Sequence, residues 1–135
     1  MTVEPIWLGP DFARALYDRF MTMHGGRAGS PRDDLLEAAL ARPRHRFQYG
    51  TSDLFDLAAA YAFAIARDHP FPDGNKRISL TFAGVFLRLN GWRFKGTEAE
   101  AVTMTLALAA GELDEAAYAG WLRSNSAAEA FRELW

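Results

Sequence analysis

The sequence predicts a mostly α-helical protein, a compact bundle of about six helices with one short β pairing at most. Apolar residues recur every three or four positions in several segments, which is the spacing of one helix face. Residues that cap or break helices separate those segments. Half of the 135 residues are hydrophobic, so we expect residues 1–135 to form a single domain around one core.

The first two helices are predicted from the residues at their ends. The first begins at Gly9-Pro10 and ends at Gly25-Gly26, because proline suits the first helical position and glycine suits the end. A Ser30 cap begins the second helix, and Pro43 stops it. The residues expected to face the core are Phe12, Leu16, Phe20 and Met23 in the first helix and Leu35, Leu36, Ala39 and Leu40 in the second.

The third helix is expected to lie at the centre of the fold. Thr51 or Ser52 caps it, and it continues through Ile65. It is apolar nearly all round, which is typical of a buried helix, and its many alanines let neighbouring helices approach closely. A basic loop over residues 42–46 is predicted before it. That loop is either a docking surface for a protein substrate or a solvated run of charge.

A fourth helix and a short strand follow. The helix begins near Asn75 and stops at Asn90-Gly91, where the glycine ends the apolar period. Residues 92–94 alternate apolar and charged side chains, which favours a short strand. Residues 6–8 are its candidate partner.

Two further helices complete the predicted bundle. Residues 97–100 form a capping box that begins the fifth helix. Residues 114–123 form the sixth, with Tyr118, Trp121 and Leu122 facing inward. Residues 126–135 are expected to form a last short helix, whose large apolar side chains either pack on the core or meet a partner: Phe131, Leu134 and Trp135.

Composition excludes several classes of protein. Cysteine is absent, which rules out disulfides, thiolate metal sites and cysteine nucleophiles. The formal net charge of −2 argues against general nucleic-acid binding. The longest apolar run, residues 57–66, falls well short of the roughly 20 residues of a membrane-spanning helix. Residues 1–10 lack the pattern of a signal peptide, so we expect a cytoplasmic protein without a membrane segment.

Residues 67–77, between the third and fourth helices, are the candidate active site. The nine residues 69–77 include His, Asp, Asn, Lys and Arg, and they also contain two prolines and a glycine, which break helices. Gly74 can adopt a positive φ, so the N–H groups that open the next helix would point into the loop and bind an anion. Asn75 adds a neutral donor, and Lys76 and Arg77 add positive charge. These four residues form a predicted phosphate cradle.

Three other side chains complete the predicted site. Asp73 lies beside the phosphate cradle, where Mg²⁺ would bind one carboxylate and take its other ligands from phosphate oxygens. His69 carries an imidazole, the side chain that exchanges a proton near neutral pH, and is the candidate base for an attacking hydroxyl. Phe71 is expected to point inward and pin the loop. Each feature alone is common in an ordinary turn, but together they favour a functional site.

The run His-Pro-Phe-Pro-Asp-Gly-Asn-Lys-Arg over residues 69–77 resembles the signature of the Fic/Doc family, H-x-F-x-D/E-G-N-x-R. Fic proteins have glycine at the position of Lys76 and a second arginine at the position of Leu80. Both departures match the Doc (death-on-curing) branch. The likeness continues outside the motif, over roughly residues 6–123, and implies a Fic/Doc-type helical bundle.

The resemblance implies the toxin of a bacterial toxin–antitoxin pair. Doc toxins use ATP and Mg²⁺ to phosphorylate a threonine of elongation factor Tu, which halts translation. Many Fic proteins carry an inhibitory helix with the pattern S/T-x-x-x-E-G/N; this chain lacks it, so the implied inhibitor is a separate Phd-type antitoxin. The implied roles are a base, His69; a magnesium ligand, Asp73; and a cradle for the phosphates of ATP, Gly74, Asn75, Lys76 and Arg77.

Two other functions stay open at this stage. One is the transfer of AMP from ATP to a protein hydroxyl, as in Fic proteins, and the other is a binding module without catalytic activity. Arg67 is a weaker candidate for a substrate or nucleotide contact, since a solvated cation at a helix end explains it equally well. His24 is expected to be a helix-end residue and not a metal ligand.

Overall fold

The computed structural model describes residues 3–25 and 29–130, and within them it contains six α-helices and two short strands. The mostly α prediction of about six helices is therefore confirmed. The elements are α1 (Pro10–His24), α2 (Asp33–Gln48), α3 (Leu54–Asp68), α4 (Asn75–Leu89), β1 (Trp92–Phe94), α5 (Glu98–Ala110), α6 (Glu115–Ser124) and β2 (Ser126–Ala128).

Helix α3 lies at the centre of the fold, as predicted. Ten of its 15 residues are buried, six of them alanines, and α2, α4 and α6 pack around it. Because alanine projects only a methyl group, these helices approach α3 on several sides. In the described parts of the chain, no helix combines the length and apolarity needed to cross a membrane.

The buried face of α1 is rotated relative to the prediction. The residues expected to face the core are exposed or only partly buried: Phe12, Leu16, Phe20 and Met23. Three others are buried instead: Ala13, Tyr17 and Met21. The physical reason is a tertiary contact, because the ring of Tyr17 stacks on Phe71 with 4.1 Å between centroids. The helix ends at Gly25 as predicted, and Gly26 lies outside the described residues.

Two predicted helix caps are wrong by one or two positions. Helix α2 follows Arg32, whose side chain makes no capping bond, and not Ser30. Helix α3 is capped by Asp53 and not by Thr51 or Ser52. The Asp53 carboxylate accepts N–H bonds from the residues two and three positions later, at 2.9 and 3.0 Å. Neighbouring Ser, Thr and Asp residues have similar capping strength, so local sequence does not choose among them.

Pro43 does not stop α2, contrary to the prediction, and residues 42–46 are helical instead of a loop. A proline inside a helix removes one backbone hydrogen bond and crowds the preceding turn. Two observations explain why the helix continues. Pro43 is buried, and the guanidinium groups of Arg42 and Arg46 both bond to the Glu115 carboxylate of α6. These contacts stabilise the turn after the proline.

The short strand β1 is confirmed, but its partner differs from the prediction. It pairs antiparallel with β2, so residues 126–128 form a strand and not the start of a helix. Phe131, Leu134 and Trp135 lie outside the described residues. Residues 6–8 do not pair with β1, because the side chain of Asn90 bonds both the N–H and the C=O of Ile6, at 2.8 and 3.0 Å.

The other boundaries agree with the sequence. Helix α4 begins at Asn75 and is followed by Asn90. The Thr97 hydroxyl accepts the N–H of Glu100 at 3.2 Å at the start of α5. The Asp114 carboxylate caps α6 by accepting the N–H of a residue in its first turn at 2.7 Å. On α6, Tyr118 and Leu122 are buried and Trp121 is partly buried.

Strongly alkaline solution is expected to destabilise the fold through Tyr61 and Tyr118. Burial raises the pKa of each phenol to about 12, against an ordinary value of 10.0. Neutral phenols therefore stabilise the folded state fully below pH 10, and this contribution is lost as the pH rises through 12. One pKa unit corresponds to about 1.4 kcal/mol, so each residue contributes on the order of 3 kcal/mol. Denaturant titrations across this range measure the loss.

The double variant Tyr61→Phe/Tyr118→Phe is the control for this pH dependence. It removes both phenols but keeps both rings, so its free energy of unfolding should fall less between pH 10 and 12 than that of the wild type. Equal slopes for the two proteins would show that other groups control alkaline unfolding.

Candidate active site

Residues 69–74, the motif loop, connect α3 to α4 and begin and end with a left-handed residue. His69 has φ of 52° and forms the C-cap of α3, where its N–H donates to the Ile65 carbonyl at 3.2 Å. Gly74 has φ of 77° and is the N-cap of α4. In the described parts of the chain, His69 is the one non-glycine residue with positive φ. Such backbones cost free energy and cluster at functional sites.

Asn75 closes the motif loop on itself. Its side-chain oxygen accepts the N–H of Phe71 at 3.0 Å, and its side-chain nitrogen donates to the carbonyl of Phe71 at 2.9 Å. The residue is buried, so the two bonds are shielded from water and hold the loop firmly. The side chain of Asn75 thus shapes the loop, and its contact with a phosphate stays a prediction.

Two more hydrogen bonds attach the motif loop to the first helices. The backbone N–H of Arg32, at the start of α2, donates to the carbonyl of Pro70 at 2.7 Å. The hydroxyl of Tyr17, on α1, donates to the carbonyl of Asp73 at 3.2 Å. Neither bond belongs to a helix or a sheet. The irregular course of the loop therefore depends on groups that are distant in sequence.

Phe71 points inward, as predicted. Its side chain is buried. One face stacks on Tyr17 with an interplanar angle of 9°, and its ring meets Phe82 of α4 at 70° with 5.8 Å between centroids. Offset and edge-on aromatic pairs of this kind are favourable beyond the burial of apolar area. The ring anchors the middle of the motif loop to the core.

The predicted site residues line one cavity of about 430 Å³. His69, Asp73 and the four residues of the phosphate cradle all face it, together with Pro72 and Leu106. Leu106 belongs to α5 and was not predicted. Its apolar side chain, far along the chain, carries no sequence signal for a site. The cavity therefore combines one contiguous motif with one remote wall.

The electrostatics of this cavity favour an anion. Lys76 and Arg77 are both exposed, and neither forms an ion pair with a carboxylate of the described residues. The first N–H groups of α4 have no acceptor within the helix, and the positive end of the helix dipole lies there. Two unpaired cations and a helix N-terminus thus face the same space.

Asp73 is placed to bind a magnesium ion. One oxygen of its exposed carboxylate accepts the N–H of Gly74 at 2.8 Å. The described residues contain no group of three or more His, Cys, Asp or Glu side chains able to hold a metal by themselves. Mg²⁺ commonly binds one or two carboxylates and takes its remaining ligands from substrate phosphates and water. The donor set around Asp73 fits that pattern.

Arg67 and residues 42–46 lie outside the cavity lining. The guanidinium of Arg67 is 5.3 Å from the centroid of the Phe63 ring, and that of Arg42 is 4.6 Å from the same centroid. Arg42 and Arg46 are also paired with Glu115. Arg42 therefore joins α2 to α3, and Arg42 and Arg46 together join α2 to α6. Arg67 contacts a ring of its own helix.

A second, mostly apolar cavity of about 270 Å³ adjoins the first, and we call it the α1–α5 groove. It shares Lys76, Arg77 and Leu106 with the motif cavity. His24, at the exposed end of α1, lies at its edge and packs on Phe20 with 4.5 Å between ring centroids. The other residues of the groove are Leu80, Glu98, Ala101, Val102 and Thr105.

The fold and this loop define a helical protein in which a loop with a left-handed glycine and two exposed cations leads into helix α4. The model of the Fic/DOC family matches residues 7–87, and the chain belongs to that family. It is 35% identical over 117 residues to Protein kinase doc of Escherichia phage P1, covering 86% of this chain and 92% of that protein. It is also 45% identical over 60 residues to Toxin Doc of Mycolicibacterium smegmatis, covering 42% and 45%. The predicted membership of the Doc branch is confirmed.

Replacing Gly74 with alanine is expected to destabilise the protein and weaken its binding of phosphate. At φ of 77° an added Cβ is strained, and it would lie 3.2 Å from the sulfur of Met21. We expect a loss of about 1–2 kcal/mol in the free energy of unfolding. Chemical denaturation measures that loss, and calorimetric titration with ATP and magnesium measures binding.

Gly84→Ala is the matched control, because Gly84 lies inside the same helix α4 and an added Cβ there meets nothing within 4 Å. This variant should gain about 0.5–1 kcal/mol, since alanine is the better helix former. If Gly74→Ala were as stable as the wild type, the left-handed requirement at Gly74 would be refuted.

Proposed function

We propose that this protein is the toxin of a bacterial toxin–antitoxin pair and transfers the γ-phosphate of ATP to a hydroxyl side chain of a protein. The observation that carries the proposal is the convergence of His69, Asp73 and the phosphate cradle on one cavity at the N-terminus of α4. The names of the two relatives, a protein kinase and a toxin, support the same function.

The proposed reaction is an in-line displacement at the γ-phosphorus. The incoming hydroxyl oxygen forms a bond to phosphorus, the bond to the bridging oxygen breaks, and ADP leaves. The imidazole of His69 accepts the hydroxyl proton. Phosphoryl transfer needs little covalent chemistry from a protein, so positioning and charge stabilisation account for most of the catalysis.

The residues of the phosphate cradle bind and orient the nucleotide. Lys76 and Arg77, with the first N–H groups of α4, bind the phosphate oxygens. Asp73 would hold Mg²⁺, which neutralises negative charge on the phosphates when bound. His69 lies at the opposite end of the motif loop from Gly74, and both line the same cavity, so the base and the cradle can contact one phosphate.

Two positions favour phosphate transfer over AMP transfer. Lys76 replaces the glycine of Fic proteins and adds charge and bulk to the cavity wall. Leu80 replaces their second arginine and lies in the α1–α5 groove, where it offers no charge to distal phosphates. A triphosphate is then bound mainly through the phosphate in the cradle, which we propose to be the γ-phosphate. AMP transfer is the alternative function.

We propose elongation factor Tu as the protein substrate and a Phd-type antitoxin as the inhibitor, both on the resemblance to Doc toxins, and a cytoplasmic location for the same reason. The α1–α5 groove supports the inhibitor proposal. Its apolar lining includes exposed Val102 and Leu106, and such a groove suits the apolar face of a helix. A helix bound there would contact Lys76 and Arg77 and restrict access to the cradle.

Labelled ATP distinguishes the two reactions. The protein is incubated with a translation extract and ATP labelled on either the γ- or the α-phosphate. We expect label on a protein only from the γ-position, and mass spectrometry of the labelled peptide should show the added mass of one phosphate. Label retained only from the α-position would establish AMP transfer and reject the kinase proposal.

His69→Ala tests whether toxicity needs catalysis. Removing a general base typically lowers turnover by about 10²–10⁴-fold, whereas ATP binding, measured by calorimetry, should stay within about threefold because His69 is not part of the cradle. Growth arrest on expression should disappear. Arg77→Ala, in contrast, should weaken ATP binding.

The exposed His45 of α2 provides the control. It lies outside the cavity lining, so His45→Ala should keep both growth arrest and turnover. Undiminished growth arrest by His69→Ala would support the binding-module alternative, since the arrest would then arise without proton transfer.

A further inference from the structure

The ring and the hydroxyl of Tyr17 make separate contacts with the motif loop. The residue is 1% exposed, at the middle of α1. Its ring stacks on Phe71 with 4.1 Å between centroids. Its hydroxyl extends beyond this contact and donates to the carbonyl of Asp73 at 3.2 Å. A phenylalanine would fill the same space but leave that carbonyl without its donor.

The hydroxyl of Tyr17 bonds to the peptide unit on which the proposed site depends most. That unit joins Asp73, the proposed magnesium ligand, to Gly74, the left-handed residue that begins α4. Its N–H donates to the carboxylate of Asp73 at 2.8 Å, and its C=O accepts from Tyr17. One peptide is therefore fixed at both ends. A rotation of that peptide would move the carboxylate and the N-terminus of α4 together.

Helix α1 contacts both residues of this peptide. Met21, one turn after Tyr17, has its sulfur 3.2 Å from the position that a Cβ of Gly74 would occupy. A buried hydroxyl without a partner is unfavourable, and the bond to the carbonyl of Asp73 provides that partner.

We propose that Tyr17 is a positioning residue, whose hydroxyl fixes the peptide between Asp73 and Gly74 and thereby orients the magnesium ligand relative to the phosphate cradle. The kinetic part of this inference rests on the proposed function. The structural part concerns the main chain alone and holds for any reaction at this cavity.

Tyr17→Phe removes the donor and keeps the ring. In the protein without ligands, we expect the backbone amide of Gly74 to change its NMR chemical shift and to exchange with solvent about 3–10-fold faster, because the peptide loses the bond from Tyr17 that restricts its rotation. In phosphoryl transfer to the protein substrate, we expect kcat to fall by a similar factor. The thermal unfolding midpoint reports on the general loss of stability.

Tyr61→Phe is the matched control. Tyr61 is also fully buried, on α3, and its hydroxyl accepts the backbone N–H of Leu8 at 3.1 Å, away from the motif loop. This variant should lose stability comparably, while the Gly74 amide and kcat stay at wild-type values. Incorporating 4-aminophenylalanine at position 17, which restores a donor to the same ring, should recover at least half of the lost kcat.

The outcomes separate this inference from the proposed function. An unchanged Gly74 amide in Tyr17→Phe, or an equal fall of kcat in both phenylalanine variants, would overturn the positioning role. An unprotected Gly74 amide in the wild-type protein would do so without any variant. If the wild type transferred no phosphate, the kinase proposal would fail, and the Gly74 amide would still decide the role of Tyr17.

Discussion

The backbone carbonyls of the motif loop have no partners of the kind found within a helix or a sheet. Groups elsewhere in the structure donate hydrogen bonds to them. The chain leaves the buried helix α3 at His69 and enters α4 at Asn75, so six residues must reverse direction next to the core. A buried carbonyl without a donor costs about 1–3 kcal/mol. The donors come from α1, from the start of α2 and from the first residue of α4. Donors from three helices therefore hold one short loop in place.

The same arrangement gives the proposed site its chemistry. Left-handed residues at both ends of the loop let the chain turn sharply, which places an imidazole at one end and a helix N-terminus at the other. Because the loop is held from outside by Tyr17 and Arg32, a bound phosphate would not have to order it first. Preorganised donors of this kind stabilise charge without reorganisation during a reaction. The two exposed cations then add attraction at little structural cost, because neither is needed to hold the fold.

Local signals in the sequence were enough for the parts of the structure that depend on neighbouring residues. The burial of α3, the start of α4 at Asn75 and the grouping of the motif side chains were all predictable in this way. The predictions were wrong where contacts between residues distant in sequence determine the structure. The stacking of Tyr17 on Phe71 sets the rotation of α1, and Glu115 stabilises the helical turn after Pro43. Strand β2, with the sequence Ser-Ala-Ala, lacks the alternation that made β1 predictable. Leu106 and Tyr17 were missed at the site for the same reason, since each reaches it through tertiary packing.

The donors that hold the motif loop also have a particular order along the chain. Tyr17 and Arg32 precede the loop, and Asn75 is the residue directly after it. Leu106 comes much later in the chain. Synthesis runs from the N-terminus, so Tyr17 and Arg32 are made before the loop and Asn75 directly after it. The turn can therefore assemble while translation continues. The wall of the cavity on α5 is made only afterwards, so the cavity that the motif loop lines is complete only once Leu106 has been added.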